Sequence, residues 1–426
     1  MPALSRATRR TGLGGEGVAD AGSAARARGS FRAGFAVADI TPDPGAQRVA
    51  LSGYVARQQP AVGVRDRLQV AALALAVGEE PPLLLVALDL CILDGPTAAL
   101  LTEACPLPPQ RLWLACSHTH AAPATYPLLG CGEPDPGYAA LLAQRVGAVA
   151  RSALATLVPC RLGWGRTTLA APLWGNRRDP AGPWDGRIHL LKIERAESDR
   201  TPVVAVWSLA CHPVVLGPEN RMVSADFVGV VRESLPFPSL FLQGCCGDQN
   251  PRARGASALG VWRQAADALQ TLWQGTPTAS RGPWAVASAP VALPRLPGDG
   301  LPPPPAADPA VAAAMRLWQE RVATPGAAVP PSRAEVSVLR IGNGRLALWP
   351  GEPFVSLQHA LPSDTWAVGH VGPSVGYLPD GPAYAAPRYE VGSAHRYYGF
   401  PSALAPTAGE ALVAATQGLL AAVAGT

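Results

Sequence analysis

Two histidines two residues apart, His118 and His120, close the apolar run Arg111-Leu-Trp-Leu-Ala-Cys-Ser117. The run reads as a buried strand. On a strand residues i and i+2 face the same side, so both imidazoles are expected to project together from its carboxyl end. Imidazole is the commonest protein ligand for zinc, and the carboxyl ends of strands in open α/β sheets are where sites collect. The plain alternative is a pair of loop histidines, one of them bonded to backbone. Two further apolar runs end in metal-competent side chains. Pro202 to Leu209 leads into Ala210-Cys211-His212-Pro213, and Arg345 to Trp349 leads into Pro350-Gly351-Glu352-Pro353. Alone, His212 reads as a turn histidine before proline, and Glu352 as a carboxylate complementing a helix start. Together they are the ligand types of a catalytic zinc, which takes about three protein ligands and leaves a position for water.

The elements that must hold these residues follow from periodicity. Phe35 to Pro42, Arg65 to Val77 and Leu83 to Leu90 are expected strands, with a helix from Pro96 to Glu103 before the histidine strand. Strand, helix, strand in that order points to a parallel pair and an α/β layer. Pro136 to Leu157 is helical, with Leu141, Leu142, Val146, Val149 and Leu154 on one face. Strands are expected at Arg161 to Leu169, Arg187 to Glu194, Pro202 to Leu209 and Ser239 to Gln243, and a loop at Trp174 to Pro180. Helices are expected at Ala225 to Ser234, Ala256 to Gln274 and Pro406 to Val423. A hairpin turns at Gly342-Asn343-Gly344 between Ala334 to Ile341 and Arg345 to Trp349, and Thr365 to Val371 is the last strand. The fold class expected is α/β, with mixed parallel and antiparallel sheets flanked by helices. Residues 1–30 lack an apolar core and read as a disordered or leader segment. Residues 31–426 form one domain, with 294–309 a Pro-rich surface insertion.

Composition excludes several classes. The chain has 426 residues, 48% hydrophobic and 15% charged, which describes a folded protein with a large core. Net charge is +4 with no dense basic block interleaved with aromatics, so no nucleic-acid partner is expected. Lys192 is the one lysine among 35 basic residues and sits in an expected strand, which argues against Schiff-base chemistry. The eight cysteines include no CxxC pair and are too few for a disulfide scaffold. No run of apolar residues reads as a membrane span.

Taken in order, several segments resemble the neutral, non-lysosomal ceramidase family. Ala38-Asp39-Ile40-Thr41 with Gly53-Tyr54 resembles its ADIT…GY opening, and Ser117-His118-Thr119-His120 with Pro123 its THTHSGP signature. Asn176-Arg177 resembles its NRS loop, Cys211-His212-Pro213 its VHPT segment, and Ser224-Ala225-Asp226-Phe227 its Asp-containing helix start. Gln243-Gly-Cys-Cys-Gly-Asp248-Gln-Asn250-Pro251 is similar to its SNxGDVSPN loop, and Pro350-Gly351-Glu352-Pro353 to its PGEFT segment. Gly376-Tyr377 and Tyr389-Glu390 with Ser393 resemble its two-tyrosine stretch, with the same spacing between the tyrosines. The resemblance spans residues from about 36 to 400 and covers the catalytic domain. The C-terminal immunoglobulin-like domain of longer members is expected to be absent.

The resemblance implies one zinc per chain held by His118, His212, Glu352 and Tyr377. It implies that His120, Arg177, Tyr377 and Tyr389 act on the scissile amide. The activity implied is hydrolysis of an N-acyl amide, ceramide or a ceramide-like lipid, to fatty acid and amine, with transient contact at a membrane surface. Two departures bear on the pocket wall. Leu378 to Arg388 replaces the family's Thr/Glu-rich run between the tyrosines, and Ala121-Ala122 replaces Ser-Gly. Family members are mostly secreted or surface enzymes, whereas no signal is visible here and a cytoplasmic location is expected. Three other readings remain open. Gly372-Pro-Ser374-Val-Gly376 matches a serine-hydrolase GxSxG, but the proline-containing stretch after it cannot supply the required helix. A two-metal amidohydrolase would use His118 with His120 and draw further ligands from His189, His359, His370 and His395. A zinc- or lipid-binding homologue without turnover would have no need of His120, Arg177 and Tyr389. Cys245 and Cys246 read as small buried residues, and Asp248 as an orienting carboxylate.

Overall fold

The computed structural model describes residues 25–297, 308–323 and 333–424. The strands of its principal sheet are β1 (Ala25–Asp39), β2 (Gln69–Val77), β3 (Leu83–Leu88), β4 (Leu112–Cys116), β5 (Val158–Thr168) and β6 (Arg187–Arg195). They continue as β7 (Pro202–Leu209), β8 (Ser239–Gln243), β9 (Arg281–Ala292), β10 (Arg333–Ile341), β11 (Gly344–Leu348) and β12 (Thr365–Val368). The helices are α1 (Gly95–Glu103), α2 (Pro136–Ala155), α3 (Phe227–Ser234), α4 (Arg263–Gly275), α5 (Pro309–Ala323) and α6 (Thr407–Ala424). The strand order is β8-β7-β6-β5-β1-β9-β10-β11-β12, with β2 branching from β1 and leading to β3 and β4.

Alternation along the strands builds the layers. In β2, Leu73, Leu75 and Val77 enter a central cluster shared with Leu191, Leu240, Trp284 and Leu346 from the other strands. Val70, Ala72 and Ala74 face the opposite way, toward Leu142, Val146 and Val149 of α2. Helix α6 covers β9 to β12 through Leu412, Leu419 and Val423, and α3 and α4 cover β6 to β8. Strands therefore meet in the middle with helices outside, a mixed sheet architecture of the α/β class. By length and composition α6 is apolar enough to cross a membrane, and its buried face packs on this core.

Most of the sheet is antiparallel, but β3 and β4, β7 and β8, and β11 and β12 are parallel pairs. A helix joins the two strands of each pair: α1, α3 and the short helix Val355–His359. The first two start at aspartates. Asp94 accepts from the Thr97 amide at 2.7 Å and Asp226 from the Phe227 amide at 2.7 Å, satisfying otherwise orphaned donors.

The structure differs from the expected layout at several places. Residues 25–30, placed outside the domain, pair antiparallel with β9 from Ala25↔Val286 to Ser30↔Arg281. Their alternation of small and polar residues lets Ala27 pack against the central cluster while Arg26 and Arg28 stay exposed. Strand β9 itself was not anticipated, because Pro283 and Pro290 count against a central strand. Trp174–Asn176 is a short strand paired with Gln249–Pro251 rather than loop. The helix expected from Ala256 opens as a 3-10 turn over Ala256–Trp262 before α4. Helix α5 was likewise unforeseen, and residues 1–24 and 298–307 lie outside the described residues.

Candidate metal centre and active site

The parallel pairs aim their carboxyl ends at one place. Strand β4 stops at Cys116, so strand alternation does not align His118 with His120. The chain turns instead: His118 has φ +69°, and the Ser117 and His118 amides bond back to the carbonyls of Leu88 and Leu90 at 2.8 and 2.9 Å. This turn leaves the two Nε2 atoms 3.4 Å apart with the rings edge to face. Beyond β7, the His212 amide bonds to the Gln249 carbonyl at 3.0 Å. Beyond β11, the Glu352 amide bonds to the Gly376 carbonyl at 2.9 Å, and Glu352 lies in register with Tyr377.

Buried Gln243, the last residue of β8, fastens these ends together. Its side-chain amide donates to the carbonyls of Ser117 at 3.1 Å and Cys211 at 2.9 Å, and its own carbonyl accepts from Gly369 at 2.9 Å. Three strand ends are thus tied by one side chain and its backbone. Asp248 does comparable work on the arginine loop. It accepts from Asn176 Nδ2 at 2.8 Å and from the Val355 amide at 3.0 Å, and its carbonyl takes the Arg177 amide at 2.7 Å.

Buried His118, His212 and Glu352 converge with ligand atoms all within 4.8 Å of one another. His118 Nδ1 lies 2.9 Å from the Cys91 carbonyl and His212 Nδ1 lies 3.1 Å from the Gln249 carbonyl. A carbonyl only accepts, so Nδ1 carries the proton in each ring and Nε2 is the outward lone pair. Those two Nε2 atoms face the same carboxylate oxygen, Glu352 Oε2, at 3.3 and 3.1 Å. Acceptors facing acceptors in a buried site require a cation or a proton between them, so the donor set fits a metal ion. Without an ion a proton takes that place. Burial opposes an imidazolium at His118, but the Glu352 carboxylate outweighs it and pushes His118 up to about 10. Burial and the Arg177 charge push His212 down to about 4. Burial also opposes the Glu352 charge, but the two histidines hold that carboxyl well below its usual range. Its other oxygen, Oε1, accepts from the Tyr398 hydroxyl.

The remaining expected residues line the same cavity, of about 320 Å³. Arg177 donates from Nε to Glu390 at 2.8 Å, its guanidinium carbon lies 5.4 Å from the centre of the Tyr377 ring, and its buried Nη2 has no protein partner. Tyr377 is buried, while Tyr389 is 46% exposed at the mouth, with the two ring centres 5.8 Å apart. His120 Nδ1 is buried without a partner. Sequence reasoning assigned no role to Gln243, to Tyr398 or to the carbonyls of Cys91 and Gln249. Backbone acceptors leave no trace in residue type, and Tyr398 shows only as one more aromatic in a Tyr-rich loop.

The other candidates sit differently. His370 stacks on His118 with centroids 3.9 Å apart, and its Nε2 is 3.4 Å from Cys246 Sγ. Among the described residues three His/Cys/Asp/Glu groups are close enough to hold a metal, and all share His118. None includes His189, His359 or His395. Ser374 is followed by a short strand, Tyr377–Leu378, and not by the helix a nucleophile elbow needs. All eight cysteines are buried and unpaired, and Cys245 belongs to the core beneath α6.

No protein-family model matches the chain, and no curated protein matches it in sequence. Solved structures do match. One is a neutral ceramidase from Pseudomonas aeruginosa, with a TM-score of 0.68 at 17% identity, covering 92% of this chain and 75% of that one. Another is a ceramidase complexed with C2, with a TM-score of 0.67 at 17% identity, covering 92% of this chain and 76% of that one. At such low identity the likeness speaks for architecture. The chain has the mixed-sheet fold of the neutral ceramidase catalytic domain.

Proposed function

We propose that this protein is a zinc-dependent amidase that hydrolyses an N-acyl amide, with ceramide or a ceramide-like lipid as the reference substrate, to fatty acid and amine. The observation that carries this reading is the pair of Nε2 lone pairs converging on Glu352 beside His120 and the unpartnered Arg177 Nη2. The ceramidase likeness supports the substrate class. His118, His212 and Glu352, with Tyr377 beside them, would hold one zinc. The ion when bound polarises a carbonyl and lowers the pKa of its water to about 7. His120, its Nε2 3.4 Å from His118 Nε2, takes a proton from the attacking water and returns it to the amide nitrogen. Arg177 and Tyr389 donate to the amide oxygen as negative charge builds on it. Glu390 holds Arg177 in place through Nε, which leaves Nη2 free for substrate. Tyr398 and the two carbonyls fix Glu352 and the histidine rings, so little reorganisation accompanies the reaction.

The test is zinc content measured beside hydrolysis of a fluorogenic N-acyl-sphingosine series, for wild type and His118→Ala. One zinc per chain and chelator-sensitive fatty-acid release, both lost in the variant, are expected. A protein without zinc refutes the reading. Stoichiometric zinc with no release from any acyl amide would favour a zinc- or lipid-binding homologue.

A further inference from the structure

The cavity is asymmetric about His120. If His120 returns a proton to the amide nitrogen, the amine half of the substrate leaves on its side. Against His120 stands Tyr54, with ring centres 5.0 Å apart, and the buried Tyr54 hydroxyl has no protein partner. Arg57 lies beneath, its guanidinium carbon 5.1 Å from the Tyr54 ring centre. This arginine is buried, and its Nη groups donate to the carbonyls of Ser52, His120 and Asn220, with no carboxylate among those partners. Arg254 completes the wall at the exposed rim. With the Asn250 amide turned so that its oxygen faces the guanidinium, that oxygen accepts from Arg254 Nη2 at 2.6 Å.

The nearby carboxylates are engaged elsewhere. Glu352 faces the two imidazoles, and Glu390 bridges Arg177 and Arg178. Asp226 accepts the amides of Val215, Leu216 and Phe227. Exposed Glu219 acts on Arg57 from a distance. The amine side therefore offers two arginines outside any ion pair among the described residues, and an idle hydroxyl. A neutral amino alcohol would leave that positive wall unanswered.

Building on the amidase reading, we infer that the N-acyl amides this site prefers carry an anionic group on the amine half, the carboxylate of an N-acyl amino acid or the sulfonate of an N-acyl aminosulfonate, with ceramide, neutral on that half, the weaker substrate. Arg254 and the Tyr54 hydroxyl hold it, while Arg57 supplies buried positive potential. The acyl half then lies along the apolar lining of the cavity, which includes Ile92, Leu128 and Tyr397.

The experiment uses the full zinc-loaded chain. Hydrolysis of N-lauroylglycine and N-lauroyltaurine is compared with that of neutral N-lauroylethanolamine. Binding of inert N-dodecylsulfonylglycine and N-dodecylsulfonylethanolamine is measured by calorimetry, so that recognition is read without turnover. The variants are Arg254→Gln and, as a charge control on the exposed face of α4, Arg263→Gln. In wild type the anionic member of each pair is expected to be favoured about tenfold or more, as for a hydrogen bond to a charged group. In Arg254→Gln that preference collapses, and Arg263→Gln behaves as wild type. The better of the glycine and taurine amides identifies the anion. Equal handling of charged and neutral compounds by wild type, or a preference that survives Arg254→Gln, overturns the inference. Anion-selective binding without cleavage of any amide would sink the amidase reading and leave the anion site standing. Cleavage of all amides without preference would do the reverse.

Discussion

On the proposed mechanism, Gly53→Ala should disable proton transfer by His120 while leaving the proposed metal ligands intact. Gly53 has φ +94°, and a Cβ built on it would lie 2.3 Å from His120 Nδ1 and 2.6 Å from its Cγ. Real Cβ contacts do not fall below 3.0 Å, so the ring or the Gly53-Tyr54 loop must yield by at least about 0.7 Å. The loop is not free to do so. The Ser52 amide is bonded to the Ala122 carbonyl at 2.9 Å, and Arg57 clamps the carbonyls of Ser52 and His120 together. The imidazole therefore moves. A displacement near 1 Å at a reacting group costs on the order of 10²-fold in rate. The backbone adds a penalty of roughly 1–2 kcal/mol for an L-residue at positive φ. Gly78→Ala separates the two effects, because Gly78 has φ +51° with nothing within 4 Å of the added Cβ. Gly53→Ala should lose at least as much stability in urea denaturation as Gly78→Ala. Only Gly53→Ala should lose about 10²-fold in kcat, with zinc content unchanged in each. Full turnover in Gly53→Ala, at a melting temperature matching that of Gly78→Ala, would show that His120 does not move the proton.

Two further outcomes follow from the buried polar groups. Gln243→Leu removes both donors that tie the Ser117 and Cys211 carbonyls, so zinc affinity should fall 10- to 100-fold and stability by roughly 2 kcal/mol, read by chelator competition and urea denaturation; unchanged affinity would mean the histidine loops hold themselves. His189, buried against Trp366 with Nδ1 unpartnered, is pushed down by burial to about 4 from 6.5. The unfolded chain then binds a proton that the folded chain refuses, so stability is intact above pH 6.5 and drains as pH falls toward 4. The loss attributable to this residue reaches roughly 3 kcal/mol. His189→Phe should remove roughly 2.5 kcal/mol of the acid sensitivity between denaturation curves taken at pH 7 and pH 4.5, and an identical stability difference in the two proteins would contradict it.

The sequence was informative where side-chain pattern carries the signal and silent where backbone does. Strands such as Pro202–Leu209 and Ser239–Gln243 have the bounds their apolar runs suggested, because both faces are largely buried and most positions are apolar. Strand β9 escaped because each of its prolines sits where only one neighbour is in register: Pro283 pairs with Arg28 of β1 outside the β10 pairing, and Pro290 pairs with Glu335 of β10 outside the β1 pairing, a tolerance that local composition does not show. Residues 25–30 escaped for a related reason. A strand of alanine, arginine, glycine and serine is apolar enough only once a partner strand covers it. In the site, the residue types of His118, His120, His212 and Glu352 were legible, yet the reason His118 and His120 meet was not. Strand alternation was the wrong argument for a correct neighbourhood, since a left-handed residue after β4 does the aligning.

That outcome points to what the fold contributes. In an antiparallel sheet adjacent strands end on opposite edges, so two neighbouring strands cannot both deliver a carboxyl-terminal residue to one edge. Here three parallel pairs are set into a largely antiparallel sheet, each made possible by a crossover helix. Their carboxyl ends supply Cys91 and His118, His212 and Gln243, and Glu352 and His370. The first member of each couple follows the first strand of its pair, and the second ends or follows its neighbour. The unit of the site is thus the pair of adjacent strand ends. One end presents a proposed metal ligand or its carbonyl acceptor and the other braces it: Cys91 holds the His118 ring, Gln243 holds the loop of His212, and His370 stacks where Glu352 and His118 meet. A substitution that spares the ligands but breaks a brace, as Gln243→Leu does, should therefore act on metal affinity before it acts on fold.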